Sequence, residues 1–163
     1  MKLGQETRRR LTLVGSFTAA VILAAMPFPA WAEPFRPDWI GLVLIYWCLA
    51  APERVSVGTG WFLGLLQDVL YGSLLGSNAL GKTLMSFLTV RLHLQLRMFP
   101  LWQQAASVFG LLVLNQLLTL WIRGAIGQAP ETIGYWTPCV VGALLWPWLF
   151  VILRDLRRRG GFA

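Results

Sequence analysis

Charge is the scarcest commodity in this sequence of 163 residues. Asp, Glu, Lys and Arg together make up 13% of the chain, about half the share of a typical soluble domain. Such a chain cannot wrap itself in the solvated surface that a water-soluble fold of this size needs. There is a single His, and the two cysteines, Cys48 and Cys139, lie far apart inside apolar runs. No CxxC pair and no Cys/His cluster occur, which leaves no protein-built zinc site. Two such thiols read as small packing hydrophobes. The lone His93 has no partner in the sequence, the few carboxylates are scattered, and neither nucleophilic nor paired-carboxylate catalysis has the groups it requires. We therefore expect no enzyme and no cofactor. The Gly58-Thr59-Gly60 stretch is not followed by the Lys and Ser/Thr of a phosphate loop.

What the sequence has in abundance is apolar mass: 56% hydrophobic residues, with nine Trp and nine Phe. A spanning helix needs about 20 such residues. Runs of this kind cover 11–31, 55–75, 77–96, 101–122 and 133–153, and a shorter one covers 39–51. Pro and charged residues punctuate them at Ala51-Pro52-Glu53-Arg54 and Phe99-Pro100. The expectation is one polytopic membrane domain over 1–163, all-α, with about six transmembrane helices. The 39–51 run is short enough to be a tilted or re-entrant segment instead. The first run, with Ala30-Trp31-Ala32 behind it, resembles a secretory signal, but it is longer than a usual signal core and reads as a retained span.

The net charge of +7 is not a nucleic-acid footprint, because the basic residues collect at the ends of apolar runs. With six spans, Lys2, Arg8, Arg9, Arg10, Arg54, Arg91, Arg97, Arg154, Arg157, Arg158 and Arg159 fall on the side of the termini. Arg36 and Arg123 fall on the other, and Lys82 lies within a span. The positive-inside rule then places both termini in the cytoplasm, as expected for a multi-pass protein of a bacterial inner membrane. Arg154, Arg157, Arg158 and Arg159 also suit anionic lipid. The Trp residues read as two interfacial belts, Trp31, Trp39, Trp121 and Trp136 outside, and Trp47, Trp61, Trp102, Trp146 and Trp148 inside.

The most informative stretch runs from Gly58 to Lys82. Gly60, Gly64, Asp68 and Gly72 recur every fourth residue and would share one helix face. The Gly60–Gly64 spacing allows close helix approach, either inside the protein or between two copies, and Ala20–Ala24 offers the same. Asp68 is a carboxylate in an apolar span and must be satisfied. Lys82 at similar depth on the next helix is one partner, and hydrogen bonds from the Ser73, Ser77 or Asn78 region are the other. A third use, in transport, would make Asp68 face a central polar pocket. Asn115 and Gln116 lie mid-span and should bond across helices.

Five strings, in order, carry a family resemblance: Phe35 to Trp39 (FRPDW), Pro52 to Gly60 (PERVSVGTG), Asp68 to Gly76 (DVLYGSLLG), Leu101 to Ala105 (LWQQA) and Leu145 to Trp148 (LWPW). Together they are spread along the chain from residue 35 to residue 148, and the chain resembles the MreD family of the bacterial rod-shape machinery, in its proteobacterial form. The resemblance implies a non-enzymatic inner-membrane scaffold of the elongation complex, supporting lateral peptidoglycan synthesis and cell shape. It implies direct binding of MreC, with MreB, RodA and the elongation transpeptidase in the wider complex, and admits a second copy of the chain. It also implies a six-helix fold similar to the substrate-binding subunits of energy-coupling-factor transporters, which keeps open the alternative of a small-molecule binding or transport subunit. The family provides no catalytic residues. Asp68, Gly72 and Gly76 transfer only as motif positions, and Lys82 lies outside the most typical part of that motif.

Overall fold

The apolar runs between breakers are helical, because a backbone buried among apolar side chains must pair its own N–H and C=O groups. The computed structural model describes residues 2–72, 74–127 and 133–161. Among them are seven α-helices and no strand: α1 (Lys2–Ala25), α2 (Trp39–Ala50), α3 (Val57–Tyr71), α4 (Ser77–Arg91), α5 (His93–Met98), α6 (Leu101–Ala125) and α7 (Thr137–Arg159). Short 3-10 turns at Glu33–Phe35 and Ile133–Trp136 lead into α2 and α7. Two helices, α6 and α7, are long and apolar enough to cross a membrane by length and composition.

The helix bounds depart from the apolar runs in ways that have physical causes. The first helix starts nine residues before Leu11, on a polar turn that hydrophobicity does not reveal, and ends before Pro27. The 77–96 run is not one helix. It breaks at Leu92, where the His93 ring nitrogen lies 2.5 Å from the Val90 carbonyl, and resumes as the short α5.

α1 packs on α2, α3 on α4, and α6 on both α4 and α7. The centre is α2, which touches every other helix. Every residue from Ile40 to Leu49 is buried, as befits a helix that is apolar on all sides. The ambiguous short run is thus the hub of the fold. Both its ends are held by charged groups. Asp38 caps the first turn through the Gly41 amide at 3.1 Å, and Arg97 donates to the Leu49 and Ala50 carbonyls at 2.6 and 2.9 Å, satisfying acceptors that a helix end leaves orphaned.

Two of the expected belt residues belong to this core. Trp47 and Trp146 are both fully buried. Their indole N–H groups donate to Ser16 Oγ at 2.8 Å and Gln104 Oε1 at 3.2 Å, which is how a Trp is accommodated inside. Trp31, Trp61, Trp102, Trp121 and Trp148 are exposed.

One end of the bundle is tied by polar contacts. Arg54, in the α2–α3 connection, grips Glu6 with two 2.9 Å hydrogen bonds. Arg9 donates to the Gly161 carbonyl at 2.8 Å. The first turns of α1, the connection after α2, α5 and the end of α7 therefore lie together, and with them most of the basic residues. The opposite end holds the turns around Arg36, Gly72 and Arg123.

Candidate functional site

The α3–α4 hairpin is built on glycine. Gly72 ends α3 at φ 63° and Gly76 opens α4 at φ 101°, a left-handed region that other residues enter only at a cost. Between these helices, a Cβ on Gly64 would lie 2.4 Å from the Ala79 Cα, and one on Gly60 would lie 2.1 Å from Ser86 Oγ. The backbones touch, so this face is filled by α4 of the same chain and is not open to a partner. Ala20 and Ala24 are likewise buried in the core, on the helix that packs against α2.

Asp68 sits where this hairpin closes. Gly76 has no side chain to cap α4, and Asp68 reaches across from α3 to do so. Its Oδ2 accepts from the Gly76 amide at 2.9 Å and the Ala79 amide at 3.4 Å. Its Oδ1 accepts from the Asn78 amide at 3.0 Å, Asn78 Nδ2 at 2.9 Å and Ser77 Oγ at 3.0 Å. A carboxylate at a helix N-terminus also meets the positive end of the helix dipole. Ser73, the third expected donor, lies outside the described residues.

Lys82 does not form its ion pair with Asp68. It is fully buried and its ammonium lies 2.5 Å from Asp38 Oδ2. Asp38 also takes the Gln67 and Asn115 side-chain amides at 3.4 Å each. One carboxylate therefore gathers α2, α3, α4 and α6. Gly81, next to Lys82, lets Asn115 in: a Cβ there would lie 2.1 Å from Asn115 Oδ1. Gln116 bonds outward, to the Tyr135 carbonyl at 2.9 Å, and anchors the turn before α7. Asp38 was visible in the sequence only as one letter of a motif, at the edge of an apolar run. An N-capping Asp directly before a helix apolar on every side was the available signal.

Above Asp38 the helices part. A cavity of about 400 Å³ opens at the end of the bundle opposite the termini, lined by Glu33, Arg36, Asp38, Gln67, Tyr71, Asn115 and Arg123 among others. Asp68 is not among its lining residues. The polar pocket expected around Asp68 is therefore centred on Asp38. Arg36 is held at the rim by Glu33 at 3.4 Å, by the Met26 carbonyl, and by the Phe28 ring at 4.9 Å from its centroid. At the tied end, Arg154 and Arg157 are half-buried and Arg158 and Arg159 exposed. The Arg54 guanidinium holds the Glu6 carboxyl below its usual value of 4.5. Among the described residues no group of His, Cys, Asp and Glu could hold a metal ion, and both cysteines are free and buried.

Seven α-helices and no strand among the described residues, two of the helices long and apolar enough to cross a membrane, are consistent with a helical membrane protein. The profile of the family described as rod shape-determining protein MreD matches residues 7–156. Rod shape-determining protein MreD of Haemophilus influenzae is 34% identical over 152 residues, covering 91% of each chain. The chain belongs to the MreD family of rod shape-determining proteins. No solved structure matches it.

Proposed function

We propose that this chain is a multi-pass inner-membrane scaffold of the rod-shape machinery, with both termini cytoplasmic, that binds MreC directly. MreB, RodA and the elongation transpeptidase complete the wider assembly, and the chain contributes to lateral peptidoglycan synthesis without covalent chemistry. The observation that carries this reading is the family match over nearly the whole chain, in a molecule whose deepest charged groups are spent on structure. Asp68 caps a helix and Lys82 neutralises Asp38. In this reading six helical stretches cross the bilayer, α4 and α5 together forming one crossing. The tied, Arg-rich end faces anionic lipid on the cytoplasmic side. The proposed likeness to energy-coupling-factor substrate-binding subunits rests on the family resemblance. The test is depletion with co-purification. Cells lacking the chain should round up, and the full chain in mild detergent should retain MreC. Intact rods together with failed retention would refute the proposal.

A second reading, a subunit that takes up a small molecule, is favoured by the polar cavity above Asp38.

A further inference from the structure

We infer that the cavity above Asp38 binds a small zwitterionic solute of amino-acid or dipeptide size, its carboxylate toward Arg123 and its ammonium toward the side-chain carbonyl of Gln67. The inference rests on the second reading, that the cavity takes a small molecule, and adds the chemical class. Its volume of about 400 Å³ lies within the range of small-molecule sites. Its wall carries two kinds of unmet polar demand. Arg123 lines the cavity without an ion pair among the described residues, and a guanidinium is a preferred partner of carboxylates. Gln67 is buried, and its Oε1 has no hydrogen-bond partner. Its amide orientation is fixed by chemistry, because the Nε2 side donates to the Asp38 carboxylate. Oε1 must therefore be the free acceptor, and it calls for a donor.

The unmet groups of the wall select between ligand classes. Glu33 already pairs with Arg36, and Lys82 with Asp38, so the wall's remaining demands include the Arg123 guanidinium and the Gln67 side-chain carbonyl oxygen. A bare anion satisfies Arg123 but brings Gln67 no donor, and a bare cation meets the reverse. A molecule carrying both a carboxylate and an ammonium meets both. Tyr71 and Leu112 add apolar wall for a short side chain.

The test is equilibrium binding of radiolabelled alanyl-alanine to the full chain in nanodiscs, with competition by N-acetyl-alanyl-alanine, alanyl-alanine amide, acetate, methylammonium and glucose. Saturable binding of the dipeptide is expected. Blocking either terminus should weaken it about tenfold or more, the loss of one charge-assisted bond. Arg123→Ala should abolish the preference for a free carboxylate, and Arg123→Lys should keep it. Gln67→Leu should remove the preference for a free ammonium. An unchanged melting temperature in each variant separates ligand effects from unfolding. If acetate, methylammonium or glucose binds and the dipeptide does not, the zwitterion class is wrong and the cavity reading survives. If no probe binds saturably, or Arg123→Ala leaves the selectivity intact, the assignment is overturned.

Discussion

Removing one charge of the Asp38–Lys82 pair should destabilise the whole bundle, because the two residues join α2 to α4 at a point with no solvent on the lysine side. Lys82→Met keeps the length of the side chain and deletes the ammonium. Asp38 then retains its bonds from Gly41, Gln67 and Asn115 but loses its counter-charge. Breaking a buried pair this way costs about 3–5 kcal/mol. The Asp38 side chain is 15% exposed toward the cavity, which brings the expectation to about 2–4 kcal/mol. For a chain of this size that lowers the melting temperature by roughly 4–16 °C. Asp38→Asn should cost a similar amount, since asparagine remains a good helix cap and what is lost is the charge opposite a fully buried lysine. The double variant, Asp38→Asn with Lys82→Met, buries no charge and should regain at least half of the loss. The assay is thermal denaturation of purified protein in detergent, read as the fraction still monodisperse. Single variants within about 2 °C of the parent, or a double variant no better than the worse single, would refute the reasoning.

Three further outcomes follow from the geometry. Gly64→Ala drives a Cβ into the α4 backbone at Ala79 and should cost about 1–3 kcal/mol or more, whereas Gly58→Ala, in open space on the same helix, should be neutral or stabilising by up to about 1 kcal/mol. Thermal melts of both decide it. Asp68→Asn should cost about 1–3 kcal/mol in the same assay, because both carboxylate oxygens face donors and one would be replaced by an NH2 group. Adding Lys82→Met should not rescue it, the two losses summing as independent sites do. The Glu6 carboxyl is held below its usual value by Arg54, so its contribution is present above pH 4.5 and lost as pH falls further. A spin-label distance between the start of α1 and the 51–56 connection should widen on acidification in the parent. In Glu6→Gln it should be insensitive to pH.

How far this structure could be read from sequence depends on the distance between partners. The helices follow from the apolar runs and their breakers, and the shared face of Gly60 and Gly64 follows from their spacing. The hydrogen bonds that satisfy Asp68 come from donors 8 to 11 residues onward, a range a hairpin brings together by itself. The Asp38–Lys82 pair joins residues 44 apart through helices whose mutual arrangement no local pattern encodes. Lys82 therefore pointed to the nearer carboxylate. The two buried tryptophans misled for a related reason. Position along a helix suggests depth in a membrane, but only the packing of α2, α6 and α7 decides which side faces inward. The cavity was invisible in the same way, since Arg36, Gln67 and Arg123 come from three separate regions of the chain.

The two carboxylates also impose an order on biogenesis. Asp68 finds its donors as soon as the first turn of α4 has been made, so the α3–α4 hairpin can close as a self-contained unit. Asp38 emerges earlier and must wait 44 residues for its lysine, roughly two to nine seconds at about 5–20 residues per second. During that interval α2, the shortest of the apolar stretches, carries an uncompensated negative charge at its leading end. Its counter-charge arrives only with α4, so the ion pair that gathers the hub cannot close before the α3–α4 hairpin has been made.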